Sequence, residues 1–359
     1  MKRQLLGVAA FMLALSAHAQ DNPLWMRYCA ISPDGTSIAF TYKGDIYTVP
    51  VNGGKAAQIT TNAAHDTHPV WSPDGKQIAF ASDRMGSMDI FVVDREGGIP
   101  KRLTTHSGNE TPVAFKDADH ILFLANVMPS AEDAQFPSGQ FQQVYEVSTT
   151  GDRPVMFSSM PMEDISINKT GNALLYHDKK GYEDPWRKHH TSSITRDIWL
   201  CSLDGKRSYR KLTSFNGEDR TPVWASDGKS FYYLSEEKGS FNVFKRALDG
   251  TSSTQLTHHT KHPVRFLTAA DNGTLCYGYD GEIYTMKEGT EPRKVQISIL
   301  TDKNDKDLIR QIRRNGATEI ALSPDAKEVA FILRGDVYVT SVEYKTTKQI
   351  TNTPEQERD

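Results

Sequence analysis

Residues 69–104 read PVWSPDGKQIAFASDRMGSMDIFVVDREGGIPKRLT, and residues 29–60 read CAISPDGTSIAFTYKGDIYTVPVNGGKAAQIT. Both stretches share one order: an apolar segment, Ser-Pro-Asp-Gly, Ile-Ala-Phe, a variable turn, Asp-Ile-aromatic, Gly-Gly, and a segment ending in Thr. An internal repeat of this length is typical of repeat architectures. The pattern predicts a four-stranded antiparallel meander of roughly 40 residues, which must stack on its neighbours to bury both faces.

Each part of the repeat has a physical reason. In residues 32–35, Ser-Pro-Asp-Gly suits a type I turn, because Pro presets φ and Gly relieves the exit. Ala39 lies between two large residues, so one face of the strand lets a neighbouring sheet approach. The pair Gly53-Gly54 supplies the positive φ values that tight hairpins favour. The second copy repeats these features with Gly97-Gly98.

Weaker copies of the repeat continue along the chain. They occupy 111–158, 163–213, 222–257, 271–297 and 323–351. Seven meanders at this spacing predict an all-β fold, a β-propeller of four-stranded antiparallel blades. A solenoid is the competing architecture.

The number of blades in the ring is predicted less directly. A polar, charged segment, 301–315, separates copies six and seven, and copy seven returns to the well-formed turn of the first copies. We therefore expect a six-bladed propeller at 20–300, a linker at 301–315 and, at 316–359, the first blade of a second, truncated propeller. The alternative is one seven-bladed ring. Since no leftover terminal strand is evident, ring closure is expected to rest on apolar packing.

The first residues have the pattern of a secretory signal peptide. Lys2 and Arg3 precede an apolar run, 5–15, and Ala17-His18-Ala19 offers a cleavage site. We expect residues 1–19 to be removed and the protein to be exported, periplasmic or secreted. No later apolar stretch is long enough to span a membrane. The net charge is −3, which argues against a nucleic-acid partner.

Motifs for catalysis and metal binding are missing from the sequence. It has no Gly-x-Ser-x-Gly, His-Glu-x-x-His, EF-hand or phosphate loop. We therefore expect no catalytic residues, no metal and no cofactor. Asp34, Asp74 and Asp227 share one turn position and are interpreted as turn formers. The histidines at 258, 259 and 262 are interpreted as structural. The three cysteines are interpreted as buried thiols, with one disulfide left open.

Two insertions depart from the repeat, 128–139 in copy three and 179–195 in copy four. Both fall between the second and third strands, so both should emerge on one face of the propeller. Long loops on a rigid scaffold often carry function, and Trp, Tyr and Arg are enriched at binding hot spots. We predict contact with a peptide or a neighbouring domain; the alternative is packing on an adjacent blade. The candidate residues are Tyr182, Trp186, Arg187, His189, His190 and Arg196.

The series of Ser-Pro-Asp-Gly, Ile-Ala-Phe, Asp-Ile-Tyr and Leu-Thr resembles the WD40-like repeats of the TolB type. Within that group, two features resemble secreted bacterial tricorn-like serine proteases. One is that a new set of well-formed repeats begins after copy six. The other is copy seven, with Ser323-Pro324-Asp325, Val329-Ala330-Phe331 and Asp336-Val337-Tyr338. The resemblance implies that the serine protease active site lies in later domains, with a PDZ domain, and that the propellers admit or sort peptides.

Three functions follow from these patterns. The first is a non-catalytic module that binds or gates peptides or unfolded segments for further domains of the same parent chain, a serine peptidase. The alternative is a TolB-like scaffold for protein–protein contacts in the periplasm. A propeller enzyme acting alone ranks last. Homo-oligomer formation is left open.

Overall fold

A computed structural model describes residues 23–126, 141–181, 186, 194–299, 313–344, 346–351, 353 and 357. These residues form thirty strands, arranged as seven four-stranded antiparallel sheets and one two-stranded pair. The predicted all-β fold of four-stranded blades is confirmed. Within the described ranges, the chain has no helix of the length and apolarity that crossing a membrane requires.

Each sheet is a meander whose strands pair in sequence order. Sheet 1 contains β1 (Arg27–Ile31), β2 (Ser37–Tyr42), β3 (Asp45–Pro50) and β5 (Ala57–Gln58), with β4 (Gly54–Lys55) between the last two. Sheet 2 contains β6 (Asp66–Trp71), β7 (Gln77–Ser82), β8 (Asp89–Asp94) and β9 (Lys101–Arg102). Sheet 3 contains β10 (Glu110–Phe115), β11 (His120–Ala125), β12 (Gln143–Ser148) and β13 (Val155–Ser158).

The remaining sheets repeat this order. Sheet 4 contains β14 (Met162–Ile167), β15 (Ala173–Asp178), β16 (Ile198–Ser202) and β17 (Ser208–Lys211). Sheet 5 contains β18 (Asp219–Trp224), β19 (Ser230–Ser235), β20 (Asn242–Ala247) and β21 (Ser253–Gln255). Sheet 6 contains β22 (Arg265–Ala269), β23 (Leu275–Tyr279), β24 (Glu282–Met286) and β25 (Arg293–Lys294), followed by β26 (Ile297–Ser298). Sheet 7 contains β27 (Ala317–Leu322), β28 (Glu328–Leu333), β29 (Asp336–Ser341) and β30 (Thr347–Gln349).

Apolar side chains between neighbouring sheets hold the first six sheets in a ring. Five hydrophobic clusters join sheets 1–2, 2–3, 3–4, 4–5 and 5–6 in succession. A sixth cluster joins sheet 6 back to sheet 1, where Cys276 and Ile283 pack with Cys29 and Phe40. Because sheet 6 packs directly on sheet 1, the ring has no place for a seventh blade, which contradicts the seven-bladed alternative.

In sheets 1, 2, 4, 5 and 7, a Thr at the end of the copy ties the outer strand to the third strand. Thr60 Oγ1 accepts a hydrogen bond from the Ile46 N–H at 2.9 Å, and Thr104 Oγ1 does the same for Ile90 at 2.9 Å. Tryptophans join neighbouring inner strands, since the Trp71 indole N–H donates to the Ala30 carbonyl at 2.9 Å. Satisfying buried polar groups in this way adds about 1 kcal/mol per bond to the apolar packing.

The Ser-Pro-Asp-Gly turns have the predicted geometry. The Gly35 N–H donates to the Ser32 carbonyl at 2.8 Å, and Gly35 has φ of 70°. The Asp34 carboxylate accepts from the Ser32 hydroxyl at 2.5 Å and from the Thr36 N–H at 2.9 Å. The Ser32 hydrogen bond is the largest cause that lowers the pKa of Asp34 to about 2. These contacts support the interpretation of the repeated aspartates as turn formers.

Ring closure differs from the sequence-based expectation in one respect. Besides apolar packing, β26 forms a short parallel ladder with β4, pairing Ile297 with Gly54 and Ser298 with Lys55. The Gly54 N–H donates to the Gln296 carbonyl at 2.8 Å. The expectation that no terminal segment completes the ring was therefore wrong. A two-residue strand carries no periodic pattern that sequence reasoning can detect.

Sheet 7 has the same internal pairing as the others but little burial. All six residues of β27 are exposed, and Ile320 and Leu322 are 70% and 60% exposed. That this sheet begins a second propeller stays a prediction, as do the boundaries 1–19, 20–300, 301–315 and 316–359.

Candidate ligand channel

A cavity of about 1040 Å³ runs through the centre of the six-sheet ring. Its wall is formed by the innermost strand of every sheet in the ring: β1, β6, β10, β14, β18 and β22. Ligand sites are commonly concave and 300–1,000 Å³ in volume, and they combine apolar walls with a few polar groups. This channel is therefore the candidate functional site.

The inner strands all contain a β-bulge where they pair with the second strand. In sheet 1 the register shifts between Arg27 and Ala30, and Tyr28 within the bulge has φ of 53°. Positive φ also occurs at the corresponding residue of sheets 2, 4, 5 and 6, and all these residues line the cavity. They are Tyr28, His68, Asp164, Thr221 and Phe266. A bulge re-aims a side chain, and here it directs one residue per blade to the channel.

The repeat pattern alone assigns the channel to the innermost strands, in segments such as 28–31, 69–71 and 222–224, and these segments do line the cavity. It does not identify which side chains face inward, although a simple signal does. Each bulge residue precedes the first residue of its blade's turn by four positions, as Tyr28 precedes Ser32 and His68 precedes Ser72. The same count gives Pro112 in sheet 3, which lines the cavity at a bulge but lacks a positive φ. Because the turns are recognisable from sequence, the channel-facing residues were in principle predictable.

One wall of the channel is aromatic. The rings of Tyr28 and His68 lie 3.6 Å apart between centroids, at an interplanar angle of 30°, and Phe266 lies 5.0 Å from Tyr28 on the other side. Thr67 Oγ1 lies 3.1 Å from His68 Nδ1 and orients the imidazole. Burial is the largest cause that lowers the pKa of His68 to about 4. The imidazole is therefore neutral at pH 7 and acts as part of an apolar wall.

The opposite wall, on sheets 4 and 5, is charged and hydrogen-bonded. The Thr221 hydroxyl donates to Asp164 Oδ2 at 2.5 Å, and His177 Nε2 lies 3.2 Å from the Glu163 carboxylate. Lys179 Nζ lies 2.7 Å from the same carboxylate. Burial raises the pKa of Glu163, but His177 and Lys179 outweigh burial and hold this pKa well below its usual value.

Arg196 joins this wall to the neighbouring blade. Its guanidinium lies 2.6 Å from the Glu218 carboxylate and 3.6 Å from that of Glu163. Arg196 is only 6% exposed and Glu218 is fully buried. Removing one partner of such a buried pair leaves an uncompensated charge and typically costs 3–5 kcal/mol.

Trp186 lies at one mouth of the channel. Its ring centroid is 6.0 Å from that of Phe266, in an edge-on arrangement. The guanidiniums of Arg27 and Arg265 lie 4.8 Å and 4.9 Å from the Trp186 centroid, and Arg265 donates to the Trp186 carbonyl at 3.0 Å. The residue thus reaches from the insertion of sheet 4 to sheets 6 and 1. Each cation–π contact contributes about 0.5–1 kcal/mol.

The structure places only part of the predicted contact loop. Both insertions fall between the second and third strands of their sheets, as expected, between β11 and β12 and between β15 and β16. Trp186 and Arg196 both line the channel. The four other candidates, Tyr182, Arg187, His189 and His190, lie outside the described residues. Contact of any of these side chains with a peptide or another domain stays a prediction.

The histidines near residue 260 make structural contacts. His259 stacks on Tyr279 at 3.8 Å between centroids and lies 3.0 Å from the Tyr277 hydroxyl. His262 lies 3.2 Å from the Asp280 carboxylate. Among the described residues, no three His, Cys, Asp or Glu side chains are grouped to hold a metal ion. Cys29, Cys201 and Cys276 are buried free thiols.

Two proteases are similar in sequence to this chain. Tricorn protease homolog 1 of Streptomyces coelicolor is 25% identical over 279 residues, which cover 77% of this chain and 25% of that protein. The tricorn protease of Thermoplasma acidophilum is 25% identical over 332 residues, which cover 89% of this chain and 29% of that protein. The chain thus spans about a quarter of the length of these two relatives.

A solved structure and a family model agree with this similarity. The crystal structure of the tricorn protease matches with a TM-score of 0.69 at 20% identity, over 92% of this chain and 32% of that chain, which shows a common fold. The family model for the tricorn protease N-terminal β-propeller domain matches residues 23–292, which run from before β1 to the third strand of sheet 6. The chain therefore belongs to the family of tricorn protease N-terminal β-propeller domains.

Proposed function

We propose that this chain is the non-catalytic peptide-binding module of a tricorn-like serine protease, and that it admits or sorts peptides for catalytic domains elsewhere in the parent protein. One observation carries the proposal: a central cavity of about 1040 Å³, lined by aromatic and hydrogen-bonding side chains, lies in a propeller of a protease-associated family. An extended peptide offers apolar side chains and backbone N–H groups, which match these two walls.

The proposal separates binding from hydrolysis. The titratable groups of the charged wall are engaged with one another, since Glu163 contacts His177, Lys179 and Arg196. Breaking such a buried pairing is costly, so these charges are held in place. The chain itself is expected to bind peptides and to leave them intact.

The test combines calorimetry with mass spectrometry on the purified chain and a mixed library of blocked peptides. Saturable binding, with every peptide recovered intact, is the expected result. Cleavage that persists through further purification would contradict the non-catalytic role. Absence of binding across the library would remove the peptide-binding function and favour a scaffold that contacts folded proteins.

Export to the periplasm is part of the same proposal and rests on residues 1–19. Expression with the natural leader, followed by fractionation and N-terminal sequencing, tests it. The expected product starts at Gln20 and is found in the periplasmic fraction. An unprocessed chain retained in the cytoplasm would contradict export while leaving peptide binding untouched.

A further inference from the structure

Each blade of the ring places one side chain in the channel wall at its bulge, five of them at a positive φ and Pro112 of sheet 3 without it. Sheet 7 has the same bulge, with Glu319 at φ of 53°, although β27 is exposed throughout. The left-handed backbone therefore belongs to the repeat and is not a sign of function by itself. What distinguishes the channel is which side chain each blade places there.

The aromatic residues among these six are contiguous. Phe266, Tyr28 and His68 come from sheets 6, 1 and 2, which are neighbours in the ring, and the successive rings are in contact. All three are partly exposed, and all three line the cavity. Aromatic rings that remain partly exposed inside a cavity offer a stacking surface, which favours flat apolar groups in offset or edge-on arrangements.

The two bulge residues on the opposite side are hydrogen-bonding groups. The Asp164 side chain is 46% exposed; its Oδ2 accepts one hydrogen bond from Thr221, and His177 Nδ1 lies 3.5 Å from the same oxygen. A carboxylate has about four acceptor positions. Asp164 therefore retains capacity to accept a hydrogen bond from a backbone N–H of a peptide whose side chain faces the aromatic wall.

The charges near the aromatic wall determine whether a cationic or a neutral aromatic side chain of a peptide binds there. A lysine or arginine could in principle use these rings through cation–π contacts. However, Arg27 and Arg265 already lie 4.8 Å and 4.9 Å from the centroid of the Trp186 ring, which contacts Phe266 of the aromatic wall. A further cation beside these two guanidiniums would be repelled, so a neutral aromatic ring is favoured there.

We propose that the channel selects extended peptide segments that carry an aromatic side chain, with the ring stacked on the wall of Tyr28, His68 and Phe266. A backbone N–H of the same segment donates to Asp164. This inference rests on the proposed function and specifies its substrate class. It assigns the binding role to the bulge residues and requires nothing from the insertion between β15 and β16.

The test uses the full chain and three blocked nonapeptides that differ only in the central residue, Phe, Leu or Lys. Calorimetry is expected to give the order Phe, Leu, Lys, with the Phe peptide bound roughly tenfold more tightly than the Leu peptide, since aromatic pairing adds to area burial. Two variants, Tyr28→Asn and Phe266→Asn, remove one ring each. Asn tolerates positive φ better than most residues, so the bulge is kept.

The matched control is Glu319→Asn, which introduces the same residue at the equivalent positive-φ position of sheet 7, outside the channel. Each ring variant is expected to reduce the Phe-over-Leu preference by roughly three- to tenfold, and the control by none. Circular dichroism confirms that every variant is folded. Equal binding of all three peptides, or an unchanged preference in both ring variants, would overturn the inference while peptide binding itself stands. No binding of any peptide would overturn both.

Discussion

Sheets 1 and 7 are two copies of one repeat in different surroundings. In both, a Thr hydroxyl accepts from the third strand, Thr60 from Ile46 at 2.9 Å and Thr351 from Val337 at 2.8 Å. In both, a Ser hydroxyl donates to the turn aspartate. The two sheets differ in burial: Phe40 of sheet 1 is fully buried, whereas its counterpart in sheet 7, Phe331, is only partly buried.

This comparison separates two kinds of information in the sequence. The repeat motif encodes the strands, the turn and the bulge, and these form alike in both sheets. Burial comes from the neighbouring sheets, which sheet 1 has on both sides and which supply most of the stability. The channel likewise exists only where six sheets close on one another.

The largest expected effect is on the apolar packing of sheet 1. Phe40→Ala should destabilise the ring by about 3–5 kcal/mol, because it leaves a cavity in a fully packed interface. Phe331→Ala should leave the stability of the ring unchanged. All five tryptophans lie in the ring, so tryptophan fluorescence in a urea titration reports its unfolding alone. Equal midpoint shifts for the two variants would contradict the independence of the two regions.

The next effect concerns a buried carboxyl between sheets 2 and 3. Glu110 is 2% exposed, and burial is the largest cause that raises its pKa to about 7; the Thr104 hydroxyl donates to it. Because the folded-state pKa exceeds the usual value of about 4.5, this group stabilises the ring at low pH. That contribution is lost as the pH rises from about 4.5 through 7.

Glu110→Gln keeps the shape and removes the titration. The variant should be more stable than the parent by about 1–3 kcal/mol at pH 8 and similar to it near pH 4.5. Urea titrations at both pH values check this. A stability difference that does not change with pH would show that Glu110 is ionised in the folded ring. Sheet 7 has Ala317 at the start of its inner strand and no such group there.

A smaller effect should distinguish ring closure from an ordinary hairpin. Gly53 and Gly97 share a hairpin position, with φ of 87° and 90°. An added Cβ would lie 2.5 Å from the Gln296 carbonyl oxygen at Gly53, but 3.6 Å from the nearest atom at Gly97. Gly53→Ala should therefore cost about 1–2 kcal/mol more than Gly97→Ala. Equal losses in thermal unfolding would show that the β4–β26 ladder contributes nothing to closure.

The sequence predicted the parts of the fold that local chemistry determines. Turn residues such as Pro33 and Gly35, and the alternation around Ala39, have physical roles that each copy repeats. These features gave the strands, the number of sheets and the position of both insertions. The β4–β26 ladder was missed, because two residues that pair across the ring leave no local signal.

The candidate site was harder to predict for a similar reason. Long loops with Trp and Arg attract attention in a sequence, and Trp186 and Arg196 do lie at the channel. Each bulge residue is a single position in the sequence, and its neighbours in space come from other blades. Tyr28 and Phe266 are far apart in sequence and meet only when sheet 6 packs on sheet 1.

The central claim, that peptides bind in the channel of the ring, is tested most directly by photo-crosslinking. A blocked peptide with a central benzoyl-phenylalanine is irradiated with the full chain, and the attachment sites are mapped by mass spectrometry. The account predicts attachment to the inner strands, above all near Tyr28 and Phe266, and competition by an unlabelled Phe peptide. Attachment confined to outer strands or to sheet 7, without competition, would contradict it.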